Sequence, residues 1–160
     1  MPKSTPKSTF TYEIYIASKP ERVWKALLDG EFTRQYWGHD NVSDWRPGSE
    51  WEHRRADETQ KVAILGQVLE ASPPHRLVIT WADPQHRRDR ALHSRVTFLI
   101  EPMGDSMVRL TVTHDELATG SDMQRRVSGG WPRVLSSLKS LLETGRALNT
   151  WAVADNNRQQ

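Results

Sequence analysis

The last third of the chain carries one long helical stripe of apolar side chains, and a stripe of this length needs a large apolar surface to pack against. The stripe extends over about six turns, and its residues are Met123, Val127, Trp131, Val134, Leu135, Leu138, Leu141 and Leu142. Ser121 and Gln124 match a helix-capping pattern in front of the stripe, and Gly145 follows it. The pattern predicts a long amphipathic helix over residues 121–145.

Two glycines and a proline interrupt the helical stripe near its middle, at Gly129, Gly130 and Pro132. Pro132 has no N–H to donate to the carbonyl of Ser128, so a kink is expected there. Two interpretations remain open. Residues 122–128 form a separate short helix before a main helix at 131–145, or one helix bends and enlarges the space beneath it.

The remainder of the chain alternates apolar and polar residues with the period of β-strands. Predicted strands lie near residues 9–16, 49–56, 61–71, 76–82, 93–102 and 107–115. Two short helices are predicted between the first two strands, the first capped by Ser18 and the second ending at Gly38. One apolar and one polar face per strand predicts an antiparallel sheet that is covered on one side.

The order of elements predicts an α+β fold in which a curved six-stranded antiparallel sheet wraps around one long C-terminal helix. A sheet of that curvature does not touch its helix everywhere, so we expect a cavity between them, mostly apolar with a few polar groups. The predicted boundaries are a flexible tail at 1–8, a single domain at 9–146 and a second tail at 147–160.

Composition excludes several classes of protein. The 160 residues include no Cys, which excludes a disulfide scaffold and a thiolate nucleophile. No two of the six His have metal-ligand spacing, and the formal charge of +2 is too weak to indicate nucleic-acid binding. No apolar run approaches the ~20 residues of a membrane helix, and residues 1–7 have no secretory signal. We expect a cytoplasmic protein without cofactor, metal, nucleic-acid partner or membrane insertion. The edge strands have no proline that would block pairing with another copy, so a homodimer is compatible with the sequence.

Four segments of the chain resemble helix-grip domains, the START-like or SRPBCC superfamily. They lie at 14–27, 94–98, 110–114 and 130–145, within a resemblance that spans about residues 10–145. The branch they resemble is that of homologues of the activator of heat-shock protein 90 ATPase. The resemblance implies a β-α-α-β5-α fold with an internal cavity. It also implies relatives that bind lipids, polyketides or other hydrophobic molecules, a minority of which catalyse cyclisation or related chemistry.

Aromatic residues that the predicted elements turn inward mark a candidate ligand cavity. Trp51 and Trp81 lie on strands and Trp131 on the long helix, where each alone is also compatible with ordinary core packing. Trp24 and Trp37 are instead expected to pin the short helices. The predicted cavity residues are Tyr12, Trp51, His53, Trp81, Phe98, Leu110, His114, Trp131, Leu135 and Leu138.

His114 is the candidate catalytic residue because it clusters with Asp115 and Glu116 at the end of the last strand. An inward imidazole can act as a general acid or base; the alternative is a histidine that closes the strand through hydrogen bonds to the neighbouring loop. The Arg-rich segment 83–95 is another candidate, either for contacts with phosphates or as a charged hairpin loop or lid.

Three functions follow from these features. The first is non-catalytic binding of a hydrophobic or amphipathic small molecule in the cavity. The second is a protein-interaction module linked to chaperones or the stress response, as the branch name implies. The third is an enzyme, cyclase-like or hydrolase-like, that acts on an aromatic or polyketide-like substrate through His114, Tyr12 or His53.

Overall fold

The computed structural model describes residues 5–148 of the chain, and this part contains seven strands and three α-helices. The strands are β1 (Lys7–Ile16), β2 (His39–Ser43), β3 (Glu50–Arg55), β4 (Val62–Ser72), β5 (Arg76–Trp81), β6 (Ser94–Pro102) and β7 (Val108–Ala118). The helices are α1 (Pro20–Leu28), α2 (Gly30–Trp37) and α3 (Asp122–Thr144). Two short 3₁₀ turns, Pro84–His86 and Arg90–Leu92, lie between β5 and β6.

All seven strands join one antiparallel sheet in the order β1-β7-β6-β5-β4-β3-β2. Along β6, the side chains of Val96 and Phe98 are buried, whereas Arg95 points to the opposite face and is exposed. One face of the sheet therefore forms the core. Helix α3 packs on that face, where the rings of Phe98 and Trp131 meet with centroids 5.7 Å apart. The predicted α+β fold, with an antiparallel sheet and a long C-terminal helix, is confirmed.

The prediction of six strands is wrong because it missed β2. Segment His39–Ser43 has one apolar residue, Val42, and that side chain is exposed. The buried side chain of β2 is Asn41, whose Nδ2 donates to the Leu27 carbonyl (3.3 Å) while its Oδ1 accepts from His53 Nδ1 (2.5 Å). A strand that buries a hydrogen-bonded amide has no apolar alternation to detect.

Helix α3 is one continuous helix, so the interpretation of 122–128 as a separate helix is wrong. Its start is capped as predicted, since Ser121 Oγ accepts from the Gln124 N–H (3.1 Å). Gly145 ends it in the left-handed conformation, with φ of 82°. Pro132 lies inside the helix, and a bend at this point stays a prediction.

The predicted cap of α1 is wrong by one residue. Lys19 occupies the N-cap position and makes no side-chain capping bond. Ser18 instead forms a tight turn after β1, in which its N–H donates to the Ile16 carbonyl (2.9 Å). Pro20 accounts for this start, because a proline in the first turn needs no hydrogen-bond partner for its nitrogen.

Strand β4 approaches β5 unusually closely at Gly66. A Cβ atom at Gly66 would lie 1.9 Å from the carbonyl oxygen of Thr80. The same oxygen accepts the indole N–H of Trp51 (2.8 Å), and the Thr80 hydroxyl oxygen accepts the Gln67 N–H (2.9 Å). Only a residue without a side chain fits this crossing of β3, β4 and β5.

The termini of the chain lie largely outside the described residues. Strand β1 begins at Lys7, while residues 1–4 and 149–160 are not described, so the boundaries of the tails stay a prediction. None of the helices within residues 5–148 is long and apolar enough to cross a membrane.

Candidate ligand site beneath the C-terminal helix

Six aromatic side chains form one cluster between the sheet and α3. We call it the aromatic cluster, and its members are Trp37, Trp51, Trp81, Trp131, His53 and His114. Trp81 lies at its centre, with ring centroids 5.4 Å from Trp51 and from Trp131 and 5.5 Å from His114. These three contacts are tilted or edge-on, whereas Trp37 stacks on Trp81 with centroids 6.2 Å apart, and aromatic quadrupoles favour both edge-on and offset-stacked arrangements. The cluster therefore joins β3, β5, β7, α2 and α3 around one indole.

A cavity of about 140 Å³ lies beside the aromatic cluster, under the first half of α3. Three indole rings form much of its wall, and apolar side chains from β4 and α3 complete it. The lining residues are Trp37, Ile64, Trp81, Met123, Arg126, Val127, Gly130, Trp131 and Val134. Arg126 is the charged residue among them. The cavity therefore offers flat apolar walls with one cation at its rim.

A second, larger hollow of about 380 Å³ adjoins this cavity. The connection between β5 and β6, the end of β7 and the start of α3 surround it. Trp81, Met123 and Arg126 line both spaces. We call the first space the inner cavity and the second the outer hollow. A molecule in the inner cavity would have the outer hollow beside it.

The structure brings together six of the predicted cavity residues and places four elsewhere in the core. Trp81 and Trp131 line the inner cavity, and Trp51, His53, Phe98 and His114 pack around these two rings. Leu110, Leu135 and Leu138 are fully buried. Tyr12 is half-buried on β1 and packs against the core. Ligand contact by any of the ten stays a prediction.

Trp37 was expected only to pin a short helix, but it belongs to the aromatic cluster. Its ring centroid lies 4.5 Å from that of His53 and 5.4 Å from that of Trp131. Gly38 ends α2 in the left-handed conformation, with φ of 72°, and the chain turns directly into β2. The last residue of α2 thus reaches the cavity. Spacing within an eight-residue helix gives no signal for this position.

The other lining residues that the sequence analysis missed had different signals. Met123, Val127 and Val134 lie on the same helical stripe as Trp131, so the spacing that identified Trp131 also pointed to them. Ile64 lies on β4 with an ordinary core pattern. Arg126 lies outside the apolar stripe of α3, but its long side chain reaches the rim of the cavity.

His114 has a protein partner at each ring nitrogen. The Trp131 indole N–H donates to Nδ1 (3.1 Å), so Nε2 carries the proton and donates to Ser94 Oγ (2.7 Å). The Ser94 hydroxyl in turn donates a hydrogen bond to the Trp81 carbonyl (3.1 Å). Burial lowers the pKa of His114 to about 3, against a smaller opposing effect of the Asp115 carboxylate. The ring is therefore neutral near pH 7, and its role as an acid or base stays a prediction.

His53 is also held in its neutral form. Its Nδ1 donates to Asn41 Oδ1 (2.5 Å), and its ring stacks on that of His39 with centroids 4.1 Å apart. Burial, and then the nearby His39, lower the pKa of His53 well below its usual range. The aromatic cluster is thus uncharged at neutral pH, which suits the apolar part of a ligand that packs against its rings.

The indole N–H of Trp81 is a buried donor without a partner among residues 5–148. Trp81 is 6% exposed and lines both spaces. An unsatisfied buried donor costs about 1–3 kcal/mol. Ser18 Oγ is likewise unpaired, but Ser18 lines neither space. The Trp81 N–H is therefore an unsatisfied donor on a residue that lines both spaces.

Three of the four arginines in segment 83–95 are paired within the protein. Arg87 contacts Glu52 (2.8 Å), Arg90 contacts Gln67, and Arg95 contacts Asp115. These contacts fit the interpretation as a charged loop, and the loop also lines the outer hollow through His86 and Leu92. Within the described part of the chain, no three His, Asp or Glu side chains converge as a metal-ion site.

Comparisons with known proteins concern the whole domain. A family model described as "Activator of Hsp90 ATPase homolog 1-like protein" matches residues 17–143. No curated protein matches the chain by sequence.

Three solved structures illustrate the likeness of the fold. The Aha1 dimer of Colwellia psychrerythraea has a TM-score of 0.72 at 19% identity, over 88% of this chain and 99% of that chain. A protein of Mesorhizobium loti has a TM-score of 0.64 at 25% identity, over 85% and 97%. An Hsp90 activator of Plasmodium falciparum has a TM-score of 0.63 at 19% identity, over 92% and 96%.

Proposed function

The chain belongs to the family of Activator of Hsp90 ATPase homolog 1-like proteins, and we propose that it binds a hydrophobic or amphipathic small molecule in the inner cavity without catalysing a reaction. The observation that carries this proposal is the cavity itself. It has a volume of about 140 Å³ and is walled by the rings of Trp37, Trp81 and Trp131. Pockets of this kind, apolar with a few polar groups, are typical ligand sites.

The size of the inner cavity limits what enters it. Its volume of about 140 Å³ is close to the roughly 150 Å³ of an engineered apolar cavity that holds benzene. A single ring therefore fits, and any longer part of the ligand extends into the outer hollow. Three indole faces around one ring supply apolar area and edge-on contacts at little conformational cost.

The proposed absence of catalysis has its own support. Both ring nitrogens of His114 are engaged by Trp131 and Ser94, so neither faces a bound molecule. His53 is buried and donates to Asn41. A general base must reach the proton that it removes. Binding is therefore the function that this geometry supports best.

Filling the inner cavity tests the proposal. Gly130 lines the cavity, and a Cβ atom built there meets nothing within 4 Å. Gly130→Leu is expected to weaken binding at least about tenfold, because the new side chain takes the space of the ligand. Native mass spectrometry of freshly purified protein measures retained small molecules, and titration with toluene measures affinity.

Gly129→Leu is the matched control. Gly129 precedes Gly130 in α3, is exposed, has equal space around its Cβ position and does not line the cavity. This variant should retain the added mass and the affinity of the original protein. If the original protein carries no small molecule and toluene does not bind, the proposal fails.

A chaperone-associated role is the second candidate, favoured by the family description and by the Hsp90 activator among the similar structures. The test is a pull-down with purified Hsp90 together with its ATPase rate. A role of this kind predicts binding and a severalfold faster ATPase, and Gly130→Leu should leave both unchanged because the inner cavity is not a surface for a protein. Failure to bind any Hsp90 tested would end this candidate.

A further inference from the structure

The wall shared by the inner cavity and the outer hollow carries two donors of different kinds. One is the indole N–H of Trp81, which is buried and has no acceptor among the described residues. The other is the guanidinium of Arg126, which lines both spaces. A purely apolar ligand would use neither donor. The shared wall therefore points to an acceptor group on the ligand, at the end that faces the outer hollow.

Arg126 already holds carboxylates, and the way it does so is informative. Its Nε donates to Asp122 Oδ2 (2.8 Å), one turn earlier on the same helix. Its Nη2 contacts both carboxylate oxygens of Asp83, at 3.2 and 2.9 Å. Asp83 comes from the connection after β5 and lines the outer hollow. Asp122 can thus keep the guanidinium in place while Nη2 changes its partner.

Given the proposed binding function, on which this step rests, we infer that the site selects a single-ring aromatic carboxylate. The ring occupies the inner cavity among the indoles of Trp37, Trp81 and Trp131. The carboxylate takes the N–H of Trp81 and replaces Asp83 on Nη2 of Arg126. Asp83 then returns to solvent in the outer hollow.

Two physical arguments favour a carboxylate over a neutral or apolar group. A carboxylate that loses part of its water on binding needs a cation and hydrogen bonds to offset that loss, and this wall supplies both, with the Arg126 side chain 46% exposed. Hydrogen bonds with a charged partner are also shorter and stronger than neutral ones. An apolar ring of the same size would leave the Trp81 donor unsatisfied, which is the more costly arrangement.

Three probes of similar shape separate these contributions. Toluene has no acceptor, benzamide has a neutral one and benzoate has a charged one. NMR titration gives the affinity for each probe and follows the indole N–H resonance of Trp81, which is assigned by its loss in Trp81→Phe. We expect benzoate to bind at least about tenfold more tightly than benzamide, and toluene to bind most weakly. The Trp81 N–H resonance should move with benzoate and benzamide.

Substitutions around the guanidinium test the exchange of partners. Asp83→Asn removes the competing carboxylate and is expected to tighten benzoate binding about threefold or more, with benzamide changed less than about twofold. Arg126→Gln should remove the advantage of benzoate over benzamide. Arg125→Gln is the control, because Arg125 also pairs with Asp122 but lines neither space.

The binding results distinguish failure of the carboxylate inference from failure of the proposed binding function. Equal affinities for the three probes, or an unmoved Trp81 resonance, would overturn the inference while leaving the proposed binding function intact. Equal weakening by Arg125→Gln and Arg126→Gln would show that benzoate responds to surface charge alone, which also overturns it. If none of the probes binds, the inference and the proposed function both fail.

Discussion

Replacing Gly66 with alanine is expected to lower the free energy of unfolding by about 3 kcal/mol or more. The new Cβ atom would lie 1.9 Å from the carbonyl oxygen of Thr80, far inside van der Waals contact. The clash is with backbone, so no rotation of a side chain relieves it. Relief requires β4 and β5 to separate, and the loss is a large part of the stability of a domain of this size.

Neighbouring contacts explain why the two strands resist separation at Gly66. On one side, Leu65 and Ala82 exchange both backbone hydrogen bonds, at 3.0 and 2.9 Å. The Thr80 carbonyl also accepts the Trp51 indole N–H (2.8 Å). Moving β5 away from β4 would therefore break a buried hydrogen bond of the aromatic cluster as well as strand pairing.

Urea unfolding followed by circular dichroism measures the effect, with Gly129→Ala as the control. At Gly129 an added Cβ meets nothing within 4 Å, and alanine in a helix interior is favoured over glycine by up to about 1 kcal/mol. The two substitutions are chemically identical and should act in opposite directions. A Gly66→Ala protein whose free energy of unfolding stays within about 1 kcal/mol of the original would contradict this prediction and mean that β4 and β5 separate easily here.

Gly66 also illustrates which features a sequence pattern can reveal. The pattern of residues predicts a strand at 61–71 that includes residue 66, and the structure agrees, with β4 at Val62–Ser72. The close approach to Thr80 was invisible, because it depends on how two strands cross rather than on the pattern of either. Strands β6 and β7 were predictable since their apolar residues alternate cleanly, whereas β2 buries the polar Asn41.

The same distinction applies to the site. A stripe at helical spacing pointed to Trp131, and alternation pointed to Trp81, so two walls of the inner cavity were predictable. The volume of the inner cavity was not predictable, because it is the small difference between the space that the sheet and helix enclose and the space that the side chains fill. The unpaired N–H of Trp81 was equally hidden, since a missing partner is a property of packing.

Acid is expected to destabilise the protein through His114, and this effect can be isolated. The pKa of His114 is about 3 in the folded protein, against about 6.5 for an unperturbed histidine. Between these values the unfolded chain binds more protons than the folded one. The contribution of the neutral ring to the free energy of unfolding is therefore fully present above pH 6.5, and it declines as the pH falls toward 3. By pH 4.5 the loss from this residue is about 2–3 kcal/mol.

The range from pH 7 to 4.5 separates this effect from that of carboxylates. Salt-bridge and hydrogen-bond partners lower the pKa of Glu52 and of Glu143 below the ordinary value of 4.5. A carboxylate of that kind contributes its stability above its unfolded pKa and loses it only at lower pH. His53 has a lowered pKa through burial and acts in the same direction as His114. The original protein should therefore lose stability throughout this range.

His114→Gln removes the titrating group while keeping its shape and polarity. A glutamine oxygen can accept the Trp131 N–H, and its amide can donate to Ser94 Oγ, as the two ring nitrogens now do. Urea unfolding at pH 7 and 4.5 should show a variant that loses about 2–3 kcal/mol less than the original protein over this range, while His75→Gln, at an exposed turn, controls for removal of an imidazole. Parallel losses in all three proteins would mean that water reaches His114 and that the aromatic cluster is not closed around a neutral ring.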